Sequence, residues 1–297
     1  MILAADILAT VERLPTLNIN AIRLMELMND ENATFADIEA IVRTDPALTT
    51  NILKTAGSAH FGLRRSAETV REAIALLGLR RLIDVVTLAA IADIIPDRLP
   101  GYDISSKAFW RHCVAVAVLA ERLARVLETG RAGLAFTAGL LHDLGKLVVG
   151  TFWARQCTAS KATFRSRRLT TFESERLILG TDHAEVGMLV ARSWRLPEVV
   201  ALVNWEHHTP FATRNEADND CTVAVVRLAD SLAHAFGFGA GPGGPGPWLD
   251  PSVLESLNLS QSVATQVAWA SLDEIEGLVG LLPEMQTARK VAIGAGA

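Results

Sequence analysis

The chain has 297 residues, half of them hydrophobic (50%), which is enough to bury a continuous core in one large domain or two modest ones. Its formal net charge of −5 lacks the basic footprint that binding to a phosphate backbone requires, which argues against DNA as a partner. The opening run MILAADILATVER has no basic n-region, and Asp84, Asp93, Asp143 or Lys146 interrupts the most apolar stretches. The expectation is therefore a cytoplasmic protein with neither a signal peptide nor a membrane span.

Apolar residues recur at helical spacing from the start: Ile22, Met25, Leu27 and Met28; Ile38, Ile41 and Val42; Leu48, Ile52 and Leu53; Ile74, Leu77, Leu82, Val85 and Val86. No run alternates convincingly with a period of two, so the predicted fold is all-α and built of many helices. Asp45-Pro46 reads as an N-cap followed by proline at the first helical position, and Gly57, Gly78 and Gly180 stand where helices stop. A long amphipathic helix is predicted from about Ser105 to Leu127, with His112 near its start. Another runs from about Leu134 and carries His142-Asp143 near its end. The basic cluster Arg165 to Arg168 fits either a solvated turn or a docking patch for an anionic ligand. Asp182 and Glu185 have capping-box spacing, which places His183 in the first turn of the next helix. Pro197 opens a helix reaching His207-His208, and the stretch from Cys221 to Phe236 carries Asp230. From Gly237 to Pro251 the sequence GFGAGPGGPGPWLDP is too rich in Gly and Pro to propagate a helix and reads as a loop or linker. Two or three amphipathic helices are expected from Pro251 to Leu282, before a frayed tail at Val291–Ala297. The chain divides on this reading into an N-terminal helical part, 1–110, and a metal-binding helical part, 111–297, that contains the loop 237–251.

Cys113, Cys157 and Cys221 are odd in number and not in CxxC spacing, which argues against a disulfide framework and against a cysteine-based zinc site. The chemistry lies elsewhere. Five of the seven histidines fall in order with two aspartates: His112, His142, Asp143, His183, His207, His208 and Asp230. Imidazole suits zinc, iron, nickel and copper, and a carboxylate between two cations can bridge them, so this set is enough for a dinuclear centre that activates water against a phosphate ester. A lone histidine is more often a core or surface residue; the clustering is what shifts the reading. His60 and His234 lack such company: His60 reads as loop structure, and His234, one turn beyond Asp230, as a residue behind the ligands. In the run LLHDLGK, Lys146 shares a helix face with Asp143 if the turn continues through Gly145. It has two readings there, neutralising charge on a phosphoryl oxygen or pairing with Asp143.

Around these residues the chain resembles the HD superfamily of metal-dependent phosphohydrolases. The resemblance implies that His112, His142, Asp143 and Asp230 hold one ion, and that Asp143 bridges to a second held by His183, His207 and His208. Lys146 maps to the lysine after the dipeptide, and the cofactors implied are two divalent transition-metal ions, iron, manganese, nickel or zinc. The N-terminal runs LPTLNINAIRLMELMNDE, IVRTDPALTTNILKTAGSAHFG and REAIALLGLRRLIDVVTLA resemble the HDOD domain of bacterial signalling proteins, an all-helical relative of the HD-GYP phosphodiesterases, over roughly residues 14 to 210. Gly57-Ser58 stands where that family usually has Asn-Ser. HDOD domains have commonly lost metal ligands, whereas the full dinuclear set stands here. The stretch after His208, TPFATRNEADND, has no GYP motif, and Ala108 replaces the glutamate associated with a third metal in some HD-GYP enzymes. The function implied is a cytoplasmic signal-transduction protein that works with protein partners. The alternative is an active phosphohydrolase or phosphodiesterase on a cyclic dinucleotide, with Asp143 and Lys146 as its catalytic residues.

Overall fold

Helix ends are where the chain spends its short polar side chains, and the computed structural model, which describes residues 4–11, 19–27, 34–45, 48–50, 52–53, 69–96, 98–157, 170–209, 221–239 and 249–280, shows this at most turns. His60, Gly57-Ser58, the Arg165–Arg168 cluster and the tail Val291–Ala297 lie outside the described residues. The contacts group the chain into two units, Met1–Pro15 with Pro96–Leu272, and Thr16–Ile95 with Asp273–Ala297.

The second unit contains α2 (Ile19–Leu27), α3 (Phe35–Arg43) and α4 (Val70–Ile94). Thr34 opens α3 with a reciprocal capping box to Asp37, and Ile38 and Val42, four residues apart, bury the same face. Asp45 accepts a hydrogen bond from the Leu48 amide at 3.0 Å, as the Asp45-Pro46 pattern predicts for a helix start. Thr69 caps α4, and Gly78, at φ 75° and ψ 160°, breaks it into two helical segments where the sequence predicts a stop. Glu274, near the end of α13 (Gln261–Val279), pairs with Arg81 at 2.8 Å.

The first unit holds the seven predicted ligands. It comprises α1 (Ala4–Val11), a two-stranded antiparallel hairpin of β1 (Arg98–Leu99) and β2 (Ile104–Ser105), then α5 (Ser106–Val126), α6 (Ala132–Leu141), α7 (Gly145–Cys157), α8 (Thr171–Leu179), α9 (His183–Ser193), α10 (Glu198–Glu206), α11 (Cys221–Ala235) and α12 (Pro251–Ser256). The fold is all-α apart from this hairpin, whose two-residue strands are too short to show any period. Residues 110 and 111, the division point read from the sequence, both lie inside α5. Helix α5 packs between α6 and α11, while α9 packs on α7 and α10. Phe109, Trp110, Val114, Phe136, Val203 and Val226 are buried in this core, each such side chain contributing roughly 1.5–3 kcal/mol over exposure. Ala132–Gln156 is apolar enough to cross a membrane by composition, but 78% of its most apolar window is buried inside the protein, and the His142–Leu144 turn divides it.

Two glycines set the spacing of the site. A Cβ on Gly145 would collide with the carbonyl oxygen of His183, and one on Gly187 with the Asn204 side chain. The start of α7 therefore lies directly on the first turns of α9, which brings the His142-Asp143 turn against His183.

Candidate metal centre

Each predicted ligand sits at a helix end or on an inward helix face. His112 projects from the second turn of α5, whose start is capped by Ser105, and is 1% exposed. His142 caps the C-terminus of α6, and Asp143 follows in the turn before α7; both are buried. His183 is the first residue of α9, where Asp182 is the N-cap and accepts from the Glu185 amide at 2.9 Å. The predicted capping box is only half formed, because Glu185 accepts from the Thr181 hydroxyl instead of reaching back to the cap. Pro197 stands as N-cap of α10, as its place in the sequence predicts, and His207 is the C-cap of that helix with His208 next to it. Asp230 lies on α11. Ala108, one turn before His112, offers no ligand atom.

All seven converge. Asp143 stands at the middle, one oxygen turned to each side. Its Oδ2 lies 3.5 Å from Nε2 of both His112 and His142, and its Oδ1 lies 3.6 Å from Nε2 of His183 and 3.7 Å from that of His207. Asp230 Oδ1 closes the first side at 3.3 Å from His112 Nε2 and 3.9 Å from His142 Nε2. His208 Nε2 closes the second, 2.9 Å from His183 Nε2. Donors about 2.0–2.1 Å from a shared ion stand roughly 3.3 Å from one another in a tetrahedral set, so these separations suit ligands around a cation.

The hydrogen bonds behind the rings decide which nitrogen faces inward. His112 Nδ1 is 3.2 Å from the Phe238 carbonyl, His142 Nδ1 2.7 Å from that of Gly139, and His207 Nδ1 2.8 Å from that of Asn204. His183 Nδ1 lies 2.7 Å from Glu175 Oε2. Carbonyl and carboxylate oxygens only accept, so each Nδ1 donates and Nε2 is the nitrogen left to face Asp143. Asp143 Oδ1, His207 Nε2 and Asp230 Oδ1 are buried acceptors without a hydrogen-bond partner. Bare acceptors facing one another in a buried space are costly unless a cation lies among them, and the residues present therefore fit the implied ions.

The electrostatics agree. Burial pushes the pKa of His142 down, that of His207 down to about 3 and that of His208 well below its ordinary value, which keeps these rings neutral and able to ligate. Burial alone would raise the pKa of Asp143, but its surroundings, the Lys146 ammonium foremost, outweigh it and hold the carboxyl well below the usual range. Asp230 is likewise lowered in spite of its burial. Lys146 Nζ donates to Asp143 Oδ2 at 2.6 Å, so the pairing reading of this lysine is realised in the structure.

Several supporting residues carry no signal in the sequence. Glu175, buried on α8, accepts from the His183 ring and amide, and its other oxygen accepts from the Tyr102 hydroxyl at 2.7 Å. Tyr102, the chain's single tyrosine, is carried by the β1–β2 turn. That turn approaches α7 closely enough that a Cβ on Gly101 would meet the Ala154 amide at 2.7 Å. Asn204 donates to the carbonyls of Leu141 and Val200, both at 2.9 Å, tying α10 to the residue before His142. Gly237 to Phe238, the start of the predicted loop, buttresses His112. His234 is turned toward Asp230 and His112, where the sequence reading has it behind the ligands.

Comparison places this helical fold in a family. The chain belongs to the HDOD domain family, which matches residues 14–210. An HDOD domain protein of unknown function from Geobacter sulfurreducens shares the fold with a TM-score of 0.73 and 22% identity, over 95% of this chain and 99% of that one. A candidate phosphohydrolase from Shewanella amazonensis SB2B does so with a TM-score of 0.71 and 22% identity, over 94% and 98%. A candidate metal-dependent phosphohydrolase from the same organism follows at 0.60 and 19% identity, over 94% and 97%. In sequence, an uncharacterized protein of Treponema pallidum (strain Nichols) is 26% identical over 230 residues, 76% of this chain; the matched region spans 44% of that relative's length.

Proposed function

We propose that this chain is a cytoplasmic HDOD-type signal-transduction protein that retains a dinuclear metal centre and acts through protein partners. The ions would be two divalent transition metals, iron, manganese, nickel or zinc. His112, His142, Asp143 and Asp230 would hold the first, and His183, His207, His208 and the other oxygen of Asp143 the second. The observation that carries the metal reading is the division of Asp143 between two pairs of imidazole nitrogens. Family membership supports the signalling role. When bound, such ions polarise a phosphoryl oxygen and lower the pKa of a bound water.

A second reading, hydrolysis of a phosphodiester such as a cyclic dinucleotide, is favoured by Lys146. Its ammonium lies beside the ligands without being one of them, and burial, which would lower its pKa, is outweighed by Asp143, so it stays charged. There it would meet a phosphoryl oxygen while Asp143 holds its position.

One experiment tests both readings. Protein purified without an affinity tag is analysed for metals and screened against cyclic and linear nucleotides. Close to two ions per chain and no turnover is the expected result; a chain that is metal-free and refuses added metal would remove the centre. Metal-dependent hydrolysis would establish the second reading, and Lys146→Ala should then keep its metal while losing roughly 10²-fold or more in turnover.

A further inference from the structure

His234 stands outside the ligand set implied by the HD resemblance, yet its Nε2 lies 3.5 Å from Asp230 Oδ1, the oxygen that also faces His112 and His142. The spacing explains how it gets there: positions 230 and 234 are one turn apart on α11 and share a face. His112, Asp230 and His234 each offer one ligand atom within 4.8 Å of the other two. Asp230 Oδ1 is buried and has no hydrogen-bond donor, although imidazole nitrogens approach it from three residues.

The segment after α11 sets the two outer rings together. The Phe238 carbonyl accepts from His112 Nδ1, and a Cβ on Gly239 would collide with Nδ1 of His234, so this backbone lies against both imidazoles. Arg111 fixes the segment in turn, donating to the Gly237 carbonyl at 2.9 Å with its guanidinium 4.3 Å from the centre of the Phe238 ring.

We propose that His234 is a fifth ligand of the first ion. That ion would then have Nε2 of His112, His142 and His234, Oδ2 of Asp143 and Oδ1 of Asp230, while the second keeps three imidazoles and one carboxylate oxygen. Five nitrogen and oxygen donors would suit iron, manganese or nickel better than zinc, which usually takes four protein ligands at most. The side chain of His234 is 35% exposed, against 1% for His112, so it forms the outer wall of the site and is the most exposed of the five side chains.

The inference rests on the dinuclear reading, and the test separates the two. Metal-free wild-type, His234→Ala and His234→Gln chains are titrated with Co²⁺ against a competing chelator, with the visible absorption followed throughout. Wild type should take up two ions. Each variant should also take up two, one with unchanged affinity and one weakened by about tenfold or more, with a changed absorption band for the weakened ion. Variants that match wild type in both affinities and in spectrum would overturn the His234 assignment and leave the centre standing, whereas a wild-type chain that binds no cobalt would overturn both. If the variants lose their helical circular dichroism, wild type answers alone. Diethyl pyrocarbonate should then modify His234 in the metal-free chain and spare it once cobalt is bound; equal modification in both states would overturn the assignment.

Discussion

Asp143 is the side chain whose loss reaches the most neighbours, since its two oxygens face four imidazoles and the Lys146 ammonium. Asp143→Ala should leave the chain helical but without bound metal, because both proposed ions would lose the ligand they share. It also leaves the largely buried Lys146 without the carboxylate it donates to, and removing one partner of a buried pair typically costs about 3–5 kcal/mol. Adding Lys146→Met should restore much of that stability and none of the metal; denaturant unfolding with elemental analysis tests both, and full metal content in Asp143→Ala would refute the bridging role. Glu175→Gln is the milder test. The amide oxygen still accepts from His183 Nδ1, but the ring loses the carboxylate that makes it a stronger donor, so metal affinity should fall by about 10–100-fold with helicity unchanged. Chelator competition measures it, and wild-type affinity would mean that Glu175 only props the helix.

At the scale of elements, the site depends on how closely α7 approaches α9. Gly145→Ala puts a methyl group where the His183 carbonyl lies, so the two helices must separate. The expected cost is about 1–3 kcal/mol, with metal affinity lost while helix content stays near wild type. A thermal melt and a metal titration on the same sample check this. Most helices were legible in the sequence because their apolar residues repeat at helical spacing and their ends carry Asp45, Gly180 and Pro197, each found at a helix end. The β1–β2 hairpin was not, since two-residue strands leave no pattern. Nor was the capping box of α8, where Thr170 and Glu173 satisfy each other, the arrangement read instead into Asp182 and Glu185.

Across the whole molecule, the candidate ligands come from α5, the α6–α7 turn, α9, the end of α10 and α11, so they converge only when the first unit is folded. The sequence made the seven candidate ligands legible by order alone. It could not show the backing of the rings, because His112, His142 and His207 donate to backbone carbonyls, which no residue type announces, and Glu175 stands eight residues before His183 without any motif. The same burial predicts how the metal-free chain responds to acid. His142, His207, His208 and His234 all have lowered pKa values, chiefly through burial, that of His207 down to about 3. Between pH 6.5, the ordinary histidine value, and about 3, the unfolded chain therefore binds protons that the folded chain refuses. Stability rises with pH where the unfolded state binds more protons, so it should be intact above 6.5 and fall on acidification by about 1.4 kcal/mol per pH unit for each proton taken up. His234, partly open to water, should contribute least. Asp143, Asp230 and Glu175, also lowered, extend the loss below the ordinary carboxylate range with the same sign. Denaturant midpoints of the metal-free protein from pH 7.5 to 4 test this, and a flat profile would mean that the rings are protonated and solvated in the folded state. Saturating metal should raise stability at pH 7.5 and lose that advantage as the pH falls, because protons and ions compete for the same Nε2 lone pairs.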